Sequence, residues 1–148
     1  MKMKKILLIN THLTYPNWSE GLLNDAFHQK AKDFFLSKGF EILETKVENG
    51  YDADEEVEKH LQADIIILQT PINWFGAPWI YKKYVDEVFN SGLHSAKFLS
   101  GDGRTREDLT KQYGTGGKMQ GKKFMVSSTW NAPKARCDDP NQMLFEGR

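Results

Sequence analysis

The chain reads as an α/β domain wound on a parallel sheet. Short β-rich runs alternate with amphipathic stretches, as βαβ connections require. The run Ile65 to Leu68 is apolar at every position, the pattern of a strand buried inside such a sheet. It runs directly into Gln69-Thr70-Pro71-Ile72-Asn73-Trp74-Phe75-Gly76-Ala77-Pro78-Trp79, a loop beyond a carboxyl strand end, where open α/β sheets bind ligands.

The first strand is expected over Lys5 to Asn10, followed by a loop of turn formers from Thr11 to Trp18. Ser19 suits an N-cap, and Leu23, Phe27, Ala31 and Phe34 recur at helical spacing until Gly39 stops the run. A second strand follows over Phe40 to Val47. Asp52, Asp54, Glu55 and Glu56 load the head of a short second helix, as the macrodipole favours, with Val57 and Leu61 as its apolar contacts. The third strand spans Asp64 to Gln69. A third helix opens at Pro78, turns Ile80, Tyr84, Val85, Val88 and Phe89 inward, and offers Gly92 as its left-handed terminator. From Leu93 to Gly121 there are six glycines and no sustained period, the mark of a functional or disordered loop. The fourth strand spans Lys122 to Thr129, and Trp130-Asn131-Ala132-Pro133 turns the chain away. Residues 134–148 read as an irregular tail of one domain covering 1–148.

Composition narrows the function classes. The 148 residues hold 20 Lys and Arg against 20 Asp and Glu, so no global field selects nucleic acid or an anionic membrane. The apolar run behind the basic N-terminus, Ile6 to Ile9, is too short for a signal core or a membrane span. Together with the lone Cys137, this indicates a cytoplasmic protein. The four histidines lack metal-ligand spacing, so no metal site is expected. No Walker loop, no G-x-G-x-x-G after a strand and no G-x-S-x-G elbow occurs.

What remains is a set of loops suited to a flat ring and a phosphate. Trp74, Phe75 and Trp79 would pack on the sheet in a bland reading, but two prolines and a glycine break that segment into a loop. Ser19-Glu20-Gly21 is either an ordinary cap or the entrance of a pyrophosphate onto free helix amides. Tyr113-Gly114-Thr115-Gly116-Gly117 is either a hinge or a loop whose amides approach a ring edge, with Tyr113 as a lid. Arg104 and Arg106 coat a solvated loop or steer a phosphate-bearing reductant.

Several blocks in order carry a family resemblance: Phe75-Gly76-Ala77-Pro78-Trp79 with Lys82-Lys83-Tyr84-Val85-Asp86, Asp102-Gly103-Arg104-Thr105-Arg106, Tyr113-Gly114-Thr115-Gly116-Gly117, Gln120-Gly121-Lys122-Lys123, and Thr129-Trp130-Asn131-Ala132-Pro133. From the first strand to Pro133 the chain resembles the modulator of drug activity B family, flavodoxin-like NAD(P)H quinone reductases that use FAD. The resemblance implies a three-layer α/β/α sandwich with strand order 2-1-3-4-5. It implies FAD contacts at Ser19, Gly21, Leu22, Leu23 and Asn24 for the diphosphate and adenosine, and at Pro71, Ile72, Asn73 and Trp74 for the isoalloxazine. Further FAD contacts fall on Tyr113, Thr129, Trp130, Asn131 and Ala132. Gly116 and Gly117 would supply amides to charge developing on the reduced ring, and Tyr113 would orient substrate or deliver a proton. It further implies NAD(P)H as reductant, a quinone as acceptor, ping-pong hydride transfer and a homodimer.

Complete family members continue past the equivalent of Pro133 with further helix and a fifth strand. A chain ending at Arg148 therefore reads as C-terminally truncated, lacking its last strand–helix unit. Two other readings follow: a non-catalytic flavin or nucleotide binder, and an FMN electron carrier, which would want a compact Ser/Thr-rich loop after the first strand.

Overall fold

The computed structural model describes residues 3–133; the expected tail at 134–148 and Cys137 lie outside them. Four parallel strands stand in the order β2-β1-β3-β4: β1 Lys5–Asn10, β2 Glu41–Lys46, β3 Ile65–Pro71 and β4 Lys123–Thr129. This is the flavodoxin-like order as far as four strands carry it. Among the described residues three α-helices cover the sheet: α1 Leu22–Ser37, α2 Ala53–Gln62 and α3 Trp79–His94.

Alternation along the strands splits the core into two layers. Ile6, Leu8 and Ile67 face Ala31 and Phe35 of α1. Leu7, Ile9, Ile66 and Leu68 face Val57 of α2 and Ile80, Tyr84 and Val88 of α3. Because helices lie on both faces, β1 is buried throughout from Ile6 to Asn10.

Several helix details differ from expectation, among them Phe89, expected inward but 49% exposed at the rim of α3. Leu23, Phe27 and Phe34 of α1 face solvent, while the inward stripe is Asn24, His28, Ala31 and Phe35. Its upper half is polar because it meets polar side chains at the carboxyl edge: Asn24 bonds Asn10 and Gln69, and His28 Nε2 lies 3.0 Å from Glu44. Apolar periodicity therefore selected the neighbouring stripe. Gly92 does not end α3, which runs on to His94; Ala96 takes the left-handed conformation. Gly92 is instead a packing glycine, since a Cβ there would lie 2.3 Å from the Phe98 ring.

The acidic head expected of α2 is present, and Asp52 within it serves as the N-cap, accepting from the amides of Asp54 and Glu55. Inside the helix, the carboxylate of buried Glu56 accepts from Thr45, from the Tyr84 hydroxyl at 2.6 Å and from Lys59. Among the described residues no helix is long and apolar enough to cross a membrane, and no group of His, Cys, Asp and Glu is placed to hold a metal ion.

Candidate functional site

A cleft of about 460 Å³ opens where the carboxyl ends of β1, β3 and β4 meet the head of α1. Ser19, Gly21, Leu22, Leu23, Asn24, Pro71 and Thr129, all expected as cofactor contacts, line it together. His12, Asn17, Trp18 and Glu20 complete the lining.

The cleft exists because of how α1 begins. Its N-cap is Gly21 with φ 77° and no side-chain cap bond, and the expected cap, Ser19, lies short of the helix. The first amides, Leu22 to Asn24, precede any intrahelical acceptor, so they point out of the helix head with its positive dipole end. Gly21 also roofs His12: a Cβ would lie 2.5 Å from His12 Nδ1. His12 is buried beneath, with Nε2 3.4 Å from the Ser19 hydroxyl. A tight turn from Tyr15 to Ser19, closed by two backbone hydrogen bonds, forms the adjoining wall. Thr14 ties its base to Glu48 through amide and hydroxyl.

The floor is a buried amide chain. Asn10 Nδ2 donates to Asp25, Asn10 Oδ1 accepts from His12 N and Asn24 Nδ2, and Asn24 Oδ1 accepts from Gln69 Nε2. The Asn24 side chain is thus spent inside, leaving its backbone amide to face the cleft. Burial alone would raise the Asp25 pKa, but hydrogen bonds from Lys46 and Asn10, with the charge of Lys46 and of His12, hold it below the ordinary value.

The β3–α3 loop joins β4 through Ile72 N, which donates to Thr129 O at 2.9 Å. Asn73 and Gly76 exchange two backbone hydrogen bonds around Trp74 and Phe75, both at positive φ (50° and 68°). Two bulky aromatics in a conformation that suits Asn or Gly store backbone strain, and Trp74 is 91% exposed, so packing does not account for it. Beyond β4, Trp130 Nε1 donates to the Ser128 hydroxyl, while Asn131 and Ala132 are exposed.

The Tyr113 to Gly117 segment lies elsewhere. Gly116 lines a second cleft of about 400 Å³ shared with Ser100 to Thr105, and Tyr113 stands exposed beneath the Arg104 guanidinium, 5.5 Å from its ring centroid. Gly117 forms a bridge with Leu99. Trp74, Tyr113 and Asn131 do not line the first cleft. Asn10, His12 and Gln69 were missed by sequence reasoning. The usable signal was that two apolar runs, Ile6 to Ile9 and Ile65 to Leu68, are each followed by an amide side chain, at Asn10 and Gln69.

A family model described as flavodoxin-like fold matches residues 4–146. An uncharacterized protein of Schizosaccharomyces pombe is 42% identical over 144 residues, which are 97% of this chain and 71% of that protein. NADPH:quinone oxidoreductase MdaB of Haemophilus influenzae is 46% identical over 115 residues, 78% of this chain and 59% of that protein. In shape the chain is similar to a crystal structure from Klebsiella pneumoniae assigned as a quinone reductase, with a TM-score of 0.70 at 24% identity, over 90% of this chain and 61% of that one. The chain thus spans about three fifths of the length of these two proteins.

Proposed function

The chain belongs to the flavodoxin-like fold family, and from there we propose that it is a flavin-dependent NAD(P)H:quinone oxidoreductase with FAD in the cleft at the head of α1. The observation that carries this reading is Gly21: a left-handed, side-chain-free cap whose Cβ position is taken by His12, opening helix amides onto the carboxyl edge of the sheet. Similarity to the Haemophilus quinone oxidoreductase supports the reaction class and the reductant.

The residues fit the group. The amides of Leu22, Leu23 and Asn24 receive the diphosphate, with the His12 ring and Ser19 hydroxyl at its side. Pro71, Ile72, Asn73 and Trp74 would hold the isoalloxazine, with Thr129, Trp130, Asn131 and Ala132 as further contacts to the cofactor. Bound there, FAD supplies two-electron hydride chemistry between NAD(P)H and a quinone. The strained Asn73–Gly76 turn keeps Trp74 out of the protein core and available as a ring wall. Tyr113 orients the substrate, and the amides of Gly116 and Gly117 offer hydrogen bonds to negative charge. The exposed aromatics Trp74, Phe75 and Trp79 of the loop favour a second copy closing over it as a homodimer.

A second reading, a flavin binder without turnover, is favoured by Tyr113, Gly116 and Gly117 standing outside the lining of the first cleft. Cofactor released from purified protein and identified by chromatography tests the first part: FAD is expected, whereas FMN or a colourless protein overturns it. Menadione-dependent NADPH oxidation above the rate of equimolar free FAD is the result expected of the enzyme, and its absence leaves the binder.

A further inference from the structure

We propose that Trp18, braced by Tyr15, is the adenine-stacking residue of the first cleft and gives it a preference for a flavin dinucleotide over a mononucleotide. The assignment deepens the flavin reading above and rests on it for the identity of the ligand.

The turn that carries Trp18 is set by its own residues. Pro16 fixes one central position and Asn17 takes φ 63°, the left-handed conformation that asparagine tolerates, so the chain reverses between Tyr15 and Trp18. Trp18 N donates to Tyr15 O at 3.1 Å, inside the pair of backbone hydrogen bonds that Tyr15 and Ser19 exchange. On this frame the indole meets the Tyr15 ring edge to face, with centroids 5.3 Å apart, and Trp18 still stands 76% exposed. An exposed tryptophan by itself means little. One locked on a braced turn in the lining of a cleft is a stacking surface ordered before any ligand arrives.

Its place along the cleft says which part of the ligand it meets. Thr14, at the base of the turn, is tied to Glu48 beyond β2, whereas Pro71 and Thr129 end β3 and β4, and β1 lies between. The turn and those two strand ends are therefore opposite ends of one cleft, roughly 10 to 15 Å or two to three strand spacings apart. With the flavin ring at Pro71 and phosphate on the first amides of α1, a mononucleotide stops short of Trp18. Only an adenosine continuing past a second phosphate reaches it. The polar lining at that end agrees. Glu20 Oε1 accepts from Asn17 N at 3.4 Å and Oε2 has no partner among the described residues, so a carboxylate oxygen is open to the hydroxyl and amine donors that ribose and adenine carry, and it repels a further phosphate.

Titration of the full chain, stripped of flavin, with FAD, FMN and ADP tests this. Wild type is expected to bind FAD at least about tenfold more tightly than FMN, the order of one base stacked on an aromatic ring. Trp18→Ala is expected to lose about that factor for FAD and for ADP while its FMN affinity stays unchanged, and Trp18→Phe to keep most of it. Tyr15→Ala removes the brace but not the stacking ring, so it should fall between the two, again for FAD and ADP only. Equal affinities for FAD and FMN in wild type would overturn the assignment. So would an undiminished FAD affinity in Trp18→Ala, or a loss that FMN shares equally, which would reduce Trp18 to a prop for the turn. The stacking role and the flavin reading fail separately. FAD bound without dependence on Trp18 sinks the first alone, ADP bound through Trp18 by a protein that takes neither flavin sinks the second alone, and a protein that binds none of the three sinks both.

Discussion

Gly21 answers to two separate constraints, a positive φ and a Cβ position already filled by the His12 ring. Gly21→Ala therefore pays a left-handed backbone cost of about 1 to 2 kcal/mol and also pushes His12 from the cleft floor. A lower melting temperature and a flavin-to-protein ratio reduced severalfold are expected together; full loading would show that the helix head does not hold the diphosphate. Trp74 should behave in the opposite sense. Its side chain is 91% exposed and its φ of 50° suits Asn, so Trp74→Asn is expected to leave stability unchanged or raise it by up to about 1 kcal/mol. Flavin affinity is expected to fall at least about tenfold, the order of a lost stacking wall. Strain retained without packing gain is what a ligand contact would explain, and titration of the apo-protein with FAD checks it.

Helices α2 and α3 meet through a side-chain knot that periodicity does not reveal. His60 of α2 lies against the rings of Tyr84, Phe89 and Phe98, its Nδ1 donating to Glu56 O at 2.8 Å. Burial holds its pKa below the ordinary value of 6.5, against the Glu56 carbonyl and carboxylate, which favour the charged ring. The unfolded chain thus accepts a proton that the folded one refuses. Stability should be intact above the unfolded value and fall as pH drops from there towards the depressed folded value. Urea midpoints at about pH 7.5 and 5.5 are expected to differ for wild type and to converge for His60→Phe; an equal acid loss in both would assign it to other groups. Nearby, Gly92→Ala would drive a methyl to 2.3 Å from Phe98, which is itself buried, so a loss of about 1 to 3 kcal/mol is expected by chemical denaturation. Both features explain why the helices were legible only in part. The order and approximate spans of the elements follow from apolar runs and charge placement, as the acidic head of α2 illustrates. The inward face of α1 does not, because Asn24 and His28 gain their place from strand-end partners distant in sequence.

The first cleft was legible in the sequence in part from topology, which puts Pro71 at a carboxyl strand end and Gly21 before the helix after β1, and in part from the family resemblance, which added Thr129. The second cleft was not legible as such, since it depends on two irregular loops meeting through glycine contacts that no periodicity encodes. One property of the whole molecule remains exposed by the same topology. Strand β4 pairs only with β3 among the described residues, and Phe124, Met125 and Val126 are 63%, 47% and 52% exposed, so apolar side chains stand bare on both faces. An edge and apolar face left bare among the described residues form a template for association, and zero net charge removes the repulsion that would oppose it. Sedimentation velocity at neutral pH is therefore expected to give species that grow with concentration. Phe124 and Val126 share one face by strand alternation, so Phe124→Lys with Val126→Lys charges that face while leaving the backbone ladder to β3 intact. The double variant is expected to sediment as a smaller species over the same concentrations, with flavin loading unchanged because neither side chain lines the first cleft. If its distribution matched wild type, association would have to run through the exposed α1 face of Leu23, Phe27 and Phe34 instead, and Phe27→Lys would then be the variant that disperses it.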